Sequence, residues 1–351
     1  MQGRMDVSKS VKGWLCVTLL AWSALAAGSG HAQGMAPVPL RAAVADAHAE
    51  RAMMLAATLA GERVVAVGAR GNVILSDDGG QHWRQARQVP VDFTLTAVSF
   101  VDDKEGWAAG HGGVVIHTAD GGETWQVQRS ATEVDQPLFT VYFRDRLHGW
   151  AAGLWSLLLQ TEDGGKTWTP LHLPVAAGSK RSDLNLLHLF AGQGDALYLA
   201  AEQGTLFRSR DGGQHWELQS TGSKASLWSG AVAQPSGTLI VAGLGGKLLR
   251  SMDEGATWQA VALPTSGSIT ALQATSGVLT ASSLEGKLLQ SRDDGLSWQV
   301  VSTAPQAITT LLVNRLGQVL PFSKEGVLKP VEPGAAKPRA STIRFLEELT
   351  K

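Results

Sequence analysis

SDDGGQHW at residues 76–83, TADGGETW at 118–125, TEDGGKTW at 161–168, SRDGGQHW at 209–216, SMDEGATW at 251–258 and SRDDGLSW at 291–298 are six copies of one pattern. Each runs Ser or Thr, any residue, Asp, any residue, Gly, two residues, then Trp. The tryptophans, Trp83, Trp125, Trp168, Trp216, Trp258 and Trp298, are separated by 42, 43, 48, 42 and 40 residues. Self-similarity at such a period marks an array in which each unit buries its apolar face against the next. A length of 351 residues alone suggests two domains of about 150 each. The array overrides that prior.

Around each box lie short β-type runs, most legible in LTAVSF, GWAAG, VVIHT and TWQVQ, so each unit holds four strands in about 40 positions. Four strands per unit is the blade of a β-propeller. Strands two and three are joined by tight turns, GARGN, GHGGV, GLWSL, AEQGT, GLGGK and SLEGK. The reference residues Gly71, Gly113, Ser156, Gly204, Gly246 and Gly286 each stand 12 positions before their own tryptophan. Forty residues after Gly286 comes Gly326 in SKEGV, preceded by ITTLLV and QVLPF, which makes a seventh unit. Its box is gone: the expected Ser/Thr, Asp, Gly and Trp positions hold Val331, Pro333, Ala335 and Pro338. Two prolines oppose a regular fourth strand there. An open edge leaves backbone groups unpaired, so a terminus is expected to close the ring. Residues 35–43, MAPVPLRAA, are the expected donor, with 341–346 as the alternative. The fold class predicted is all-β, a seven-bladed propeller with six boxed blades and a degenerate seventh closed by a terminal strand.

The first 32 residues read as an address. Arg4, Lys9 and Lys12 precede an apolar run from Trp14 to Ala27, followed by small residues ending Gly30, His31, Ala32, which is a secretory signal peptide. The run is shorter than the roughly 20 residues a membrane span needs. Cleavage after Ala32 removes the single cysteine, Cys16, and leaves 27 basic against 30 acidic residues. The expected domains are a signal peptide at 1–32, an N-terminal segment with a ring-closing strand and a short helix at 33–52, the propeller at 53–333 and a tail at 334–351. The mature chain is expected to be periplasmic, without a membrane span, and monomeric. Its near-neutral charge gives no basic surface for nucleic acid. One cysteine excludes disulfide and zinc-finger scaffolds.

Asp78, Asp120, Asp163, Asp211, Asp253 and Asp293 are read as turn locks that accept amides of their own hairpins, with glycine supplying positive φ. The box tryptophans cover apolar area of their blades. A calcium loop needs more oxygens alternating over a longer run ending in Glu, and none is present. No histidine pair has helical metal spacing, and GHGGV and GLGGK join two strands instead of opening a phosphate-binding helix. The reading therefore assigns no catalytic residue, no metal and no cofactor.

The boxes resemble the Asp-box, or BNR, repeats of sialidases and related propellers. A glycan-binding or glycan-cleaving propeller is thus one alternative, but no Arg-Ile-Pro motif occurs. The possible nucleophiles Tyr142 and Tyr198 sit in strand-like runs. A fuller resemblance is carried by VSFVDDKEGWAAGHGGVVIHTADGGETW and VYFRDRLHGWAAGLWSLLLQTEDGGKTW, which share Phe, Asp, GWAAG and the box at a 43-residue offset. This pattern is similar to the photosystem II stability and assembly factor family and its non-photosynthetic relatives, over about residues 53–333. The resemblance implies an exported, non-enzymatic seven-bladed scaffold that helps a membrane complex assemble. The expected partner is accordingly a protein, an inner-membrane complex.

In a four-stranded blade the boxes lie on one face and the turns between strands two and three on the other. Partner contacts are expected on the second face, which carries Arg70, His111, Trp155, Glu202, Gln203, Glu285, Lys324 and Glu325. Both signs of charge occur there, which suits a protein better than a polyanion. Trp155, an aromatic at a tip otherwise held by Gly, Arg, Gln or Glu, either fills the central channel or anchors a partner.

Overall fold

The computed structural model describes residues 38–175 and 183–332, and each repeat in it folds into one antiparallel sheet. The second blade is representative: strands Leu95–Phe100, Gly106–Gly110, Val115–Thr118 and Gln126–Arg129 lie in sequence order from the ring's centre outward. The seven sheets span 54–85, 95–129, 138–171, 186–220, 227–261, 269–303 and 308–327. The protein is an all-β, seven-bladed propeller. The second strand of blades 2 to 5 is buried at every residue, because it lies inside its own sheet and between two neighbouring sheets.

Every innermost strand has a bulge after its first residue. The bulge frees the second side chain from the sheet register. In blades 2, 6 and 7 that side chain is a threonine whose hydroxyl donates across to the next blade. Thr96 reaches the carbonyl of Leu138 (2.6 Å), Thr270 that of Ile308 (2.9 Å) and Thr309 that of Met54 (2.6 Å). Backbone amides of inner strands are met in the same way. Thr140 Oγ1 accepts from Leu189 N–H (3.0 Å), His188 Nδ1 from Gly230 N–H (3.0 Å), Ser229 Oγ from Leu272 N–H (2.9 Å) and Gln273 Oε1 from Val313 N–H (2.7 Å). A strand edge facing the channel would otherwise leave these groups unpaired.

The seventh sheet has three strands among the described residues, Ile308–Val313, Val319–Ser323 and Gly326–Val327. The expectation that residues 35–43 supply its outer strand is corrected for the described part, 38–43. Ala43 N–H instead donates to the carbonyl of Val89 (3.0 Å), and Gln85 holds the backbone of Val44 and Asp46, so the segment lies against blade 1. Pro39 removes one of its donors, which makes it a poorer ladder strand. A short 3₁₀ helix, Ala49–Arg51, then leads into the first blade. Blades 7 and 1 meet through side chains. Met54, Val64, Ala66 and Ile74 pack with Leu312, Leu320 and Phe322, and Trp83 meets Phe322 edge-on at 5.7 Å. Asn314 also reaches the carbonyl of Gly79 (2.9 Å), and Arg315 that of Gly61 (3.0 Å). The expected signal peptide at 1–32, residues 333–351 and the alternative donor 341–346 lie outside the described residues.

Candidate functional site

In the third blade's box, Thr161 Oγ1 donates to Asp163 Oδ1 (2.9 Å) and accepts from Gly165 N–H (2.8 Å). Asp163 Oδ1 accepts Thr167 N–H (2.9 Å), and Oδ2 accepts the Thr167 hydroxyl (2.7 Å). The same four bonds recur around Asp120, Asp253 and Asp293. At Asp78 and Asp211 the imidazoles of His82 and His215 replace the hydroxyl at 2.6 Å. Bonds from Thr167 hold the Asp163 carboxyl at about 2, and His215, chiefly through its N–H, does the same for Asp211. Each carboxylate is engaged by its own turn, an arrangement that fixes the hairpin. The tryptophans complete it: Trp83, Trp125, Trp216, Trp258 and Trp298 donate Nε1–H to the box glycine carbonyl three residues back at 2.9–3.1 Å. Trp168 packs edge-on against Phe143 instead, at 5.8 Å.

Box turns bond to the loops between strands one and two, as Gly121 N–H does to Lys104 (3.0 Å) and Gly164 N–H to Leu147 (3.0 Å). The turns between strands two and three bond instead to the connections leading from each blade to the next. Ala131 N–H reaches Gly112, and Ser156 N–H reaches Leu184. The two sets therefore occupy opposite faces of the ring. Arg70, His111, Trp155, Glu202, Gln203, Glu285, Lys324 and Glu325 all lie in the second set of turns.

Their surroundings differ. Glu202 accepts from the amide and side chain of Asn185, and Glu285 accepts from Ser266, Thr265 and Lys287, bonds that hold its carboxyl at about 2. Lys324 and Glu325 lie 3.9 Å apart. Trp155 is 54% exposed, with φ 54° and ψ 48°, and Ser156 beside it is also left-handed. Elsewhere the residue at the Ser156 position is glycine, which reaches that region without steric cost. The third tip therefore holds two L-residues in a strained conformation, and the strain places an indole in solvent. Leu244 and Leu284, at the first position of the fifth and sixth tips, are exposed on the same face. Sequence reading missed them. Their signal was present as the residue directly after Gly243 and Ser283, the ends of the second strands.

The central channel, about 340 Å3, is lined by inner strands and includes Phe139, His188 and Trp228, but not Trp155. His188 stacks on Phe190 (5.5 Å), and burial pushes its imidazole down to about 4, the neutral form that accepts from Gly230. Burial raises the pKa values of Tyr142 and Tyr198, which disfavours the phenolate a nucleophile would need. Among the described residues no group of three or more His, Cys, Asp or Glu side chains has metal-holding geometry, and no helix is long and apolar enough to cross a membrane.

A closed ring of blades locked by a shared Asp–Trp turn, with strained tips on the opposite face, defines the class: a BNR-repeat β-propeller. Part of the chain is similar to the photosystem II assembly factor propellers. Its residues 56–132 and 127–217 match the family described as photosynthesis system II assembly factor YCF48. The photosystem II assembly lipoprotein Ycf48 of Synechococcus sp. (strain CC9902) is 37% identical over 62 residues, 17% of this chain and 18% of that protein. The match thus spans less than a fifth of that relative's length. The structure of YCF48 bound to a D1 peptide shares the fold at TM-score 0.66 and 21% identity, over 85% of this chain and 98% of that one. YCF48 from Cyanidioschyzon merolae does so at TM-score 0.65 and 16% identity, over 86% and 98%.

Proposed function

We propose that the chain is an exported, non-catalytic scaffold that assists assembly or stability of a membrane protein complex, and that it takes a polypeptide on the face of the strand two–three turns. The observation that carries this reading is Trp155, an indole held in solvent by a left-handed backbone. A large aromatic with little rotamer freedom is the side chain that most often anchors an interface. Leu244 and Leu284 add apolar area, and Arg70, Lys324 and Glu325 give a mixed polar rim, the composition of a protein contact. The similar propeller bound to a D1 peptide supports a polypeptide as ligand class.

Affinity capture of the tagged full chain, cross-linked in cells and compared with Trp155→Gly, tests it. An inner-membrane protein is expected with the parent chain and is lost in the variant, because truncating such an anchor costs about 2 kcal/mol or more. Absence of any membrane partner from both forms defeats the scaffold reading. Mass spectrometry of the purified chain is expected to show a start at Gln33; a chain beginning at Met1 in the membrane fraction defeats the export reading.

A further inference from the structure

The turn of a box rests on the blade before it. Trp107 lies under Gly165, Trp150 under Gly213, Ile240 under Gly295 and Leu320 under Gly80, each so close that an added methyl would meet it at 2.5–3.2 Å. The third strand and the box of the supporting blade complete the seat. Arg208 donates to the carbonyl of Glu254 in the fifth box (2.8 Å), and Arg208 and Arg210 both stand 3.7 Å from the Glu254 carboxylate. Arg250 donates in the same way to the carbonyl of Asp294 (2.8 Å). Glu123 of the second box is met by Arg63 (3.2 Å) and Arg84 (2.6 Å) of the first blade. A seat thus gives close packing to a glycine, a polar side chain to the turn's backbone, and cations to its acidic residue.

The seventh repeat carries no box in its sequence, so the seat on blade 6 has no box turn to receive. A cavity of about 610 Å3 opens there, lined by the strand one–two loops of blades 6 and 7 and therefore on the box face. Thr280 stands at the strand position where Trp107, Trp150 and Ile240 support a glycine. Gln290 stands where Arg208 and Arg250 reach a carbonyl, and Arg292 where Arg210 faces Glu254. Arg315 adds a second cation, and no Asp or Glu is among the described lining residues. Gln290 is 7% exposed; its Nε2 lies 3.5 Å from the Thr280 hydroxyl, and its Oε1 has no hydrogen-bond partner among the described residues. Turning the amide over exchanges the two atoms and leaves the other one unmatched. A buried amide atom without a partner is costly.

We propose that the seat on blade 6 is a docking site for a turn of another polypeptide, one that carries an acidic side chain. Other seats receive turns of this kind from within the chain, and the blade 6 seat has the same parts in the same places. The guest's carboxylate meets Arg292 and Arg315, its backbone meets Gln290, and a small residue lies over Thr280. A peptide group supplies both a donor and an acceptor, so it matches Gln290 whichever way the amide is turned. Cations without a lining carboxylate select an acidic guest over a neutral or basic one. This contact lies on the face opposite Trp155 and does not depend on the polypeptide face proposed there.

Titration of the 15N-labelled full chain with a blocked peptide of residues 249–260, LRSMDEGATWQA, which holds the fifth box, tests this. The side-chain amide signal of Gln290, identified by its loss in Gln290→Leu, is expected to shift as peptide is added. Glu254→Gln in the peptide, or Arg292→Glu with Arg315→Glu in the protein, is expected to weaken binding about 10-fold, as loss of a hydrogen bond to a charged group does. Gln290→Leu abolishes binding while the urea midpoint stays or rises, because an apolar side chain removes the unmatched amide. Trp155→Gly leaves binding unchanged, which separates this site from the opposite face. Absence of any shift overturns the proposal. So does an equal shift from citrate alone, because the cavity then takes a small anion, and so does a dimer seen by light scattering that Arg292→Glu with Arg315→Glu dissociates, because the guest is then a second copy.

Discussion

Within one box a hydroxyl and a carboxylate share the hairpin. The Ser or Thr at its head is as central as the Asp, since Thr118 Oγ1 both accepts Gly122 N–H (3.0 Å) and donates to Asp120 Oδ1 (2.9 Å) in a buried place. Thr118→Val keeps the shape and orphans both groups. It is expected to lower stability by about 1–3 kcal/mol in urea unfolding, with Thr118→Ser near neutral. Acidification reads the same bonds. The Asp163, Asp211 and Asp253 carboxyls are held at about 2, below the ordinary value near 3.8, so the unfolded chain takes up protons first as pH falls. Stability from these groups is therefore present above about pH 4 and lost towards pH 2. His188 acts earlier. Its imidazole is lowered from 6.5 to about 4, so the unfolded state gains protons first and stability declines between those values. His188→Gln is expected to flatten that upper limb of a pH-stability profile. Trp155→Gly should keep or raise stability, by up to about 1 kcal/mol in urea unfolding, because it relieves a left-handed L-residue. Residue-scale sequence reading found Asp, Gly and Trp. The hydrogen-bonding residue before each Trp, His82, Thr124, Thr167, His215, Thr257 and Ser297, was visible in the same alignment but was passed over as variable.

Blades join through contacts that no single repeat contains. Trp107 of GWAAG stacks on Phe143 of the next blade at 3.6 Å, and its Nε1–H reaches the carbonyl of Gly164 (3.1 Å) in the next box. The repeat period and strand order were legible because each strand is short, β-rich and bounded by turn residues. What GWAAG does was not, because its partners lie one full unit away and leave no local periodicity. Trp125, 1% exposed, belongs to the wedge between blades 1 and 2. Trp125→Ala is expected to cost about 3–5 kcal/mol in denaturant unfolding through the cavity it leaves. Exposed tips follow the opposite rule: Leu244→Ser is expected to change stability by no more than about 0.5 kcal/mol.

For the molecule, the decisive junction is between its first and last blades. Phe322 is fully buried against Trp83, Met54 and Ile74. Phe322→Ala is expected to cost about 3–5 kcal/mol and to speed hydrogen exchange in strand Met54–Ala60 before the central blades. Seven blades could be counted from sequence, whereas the role of residues 38–46 could not. Apolar and Pro-rich composition is equally compatible with a ladder strand and with the segment that Gln85 and Val89 hold against blade 1.

The side chains that bond from one inner strand to the next all reach the same way around the channel, from one blade to the backbone of the blade that follows. Each blade therefore has a side-chain face and a backbone face that differ, like a subunit in a head-to-tail polymer. Such a contact fixes a rotation per step, and the ring ends where the rotations return to the start. A chain deprived of residues 227–268 keeps both kinds of side but loses the angle that lets them meet. It is expected to satisfy them with other copies, forming concentration-dependent oligomers or open filaments visible by light scattering, while its individual blades stay folded.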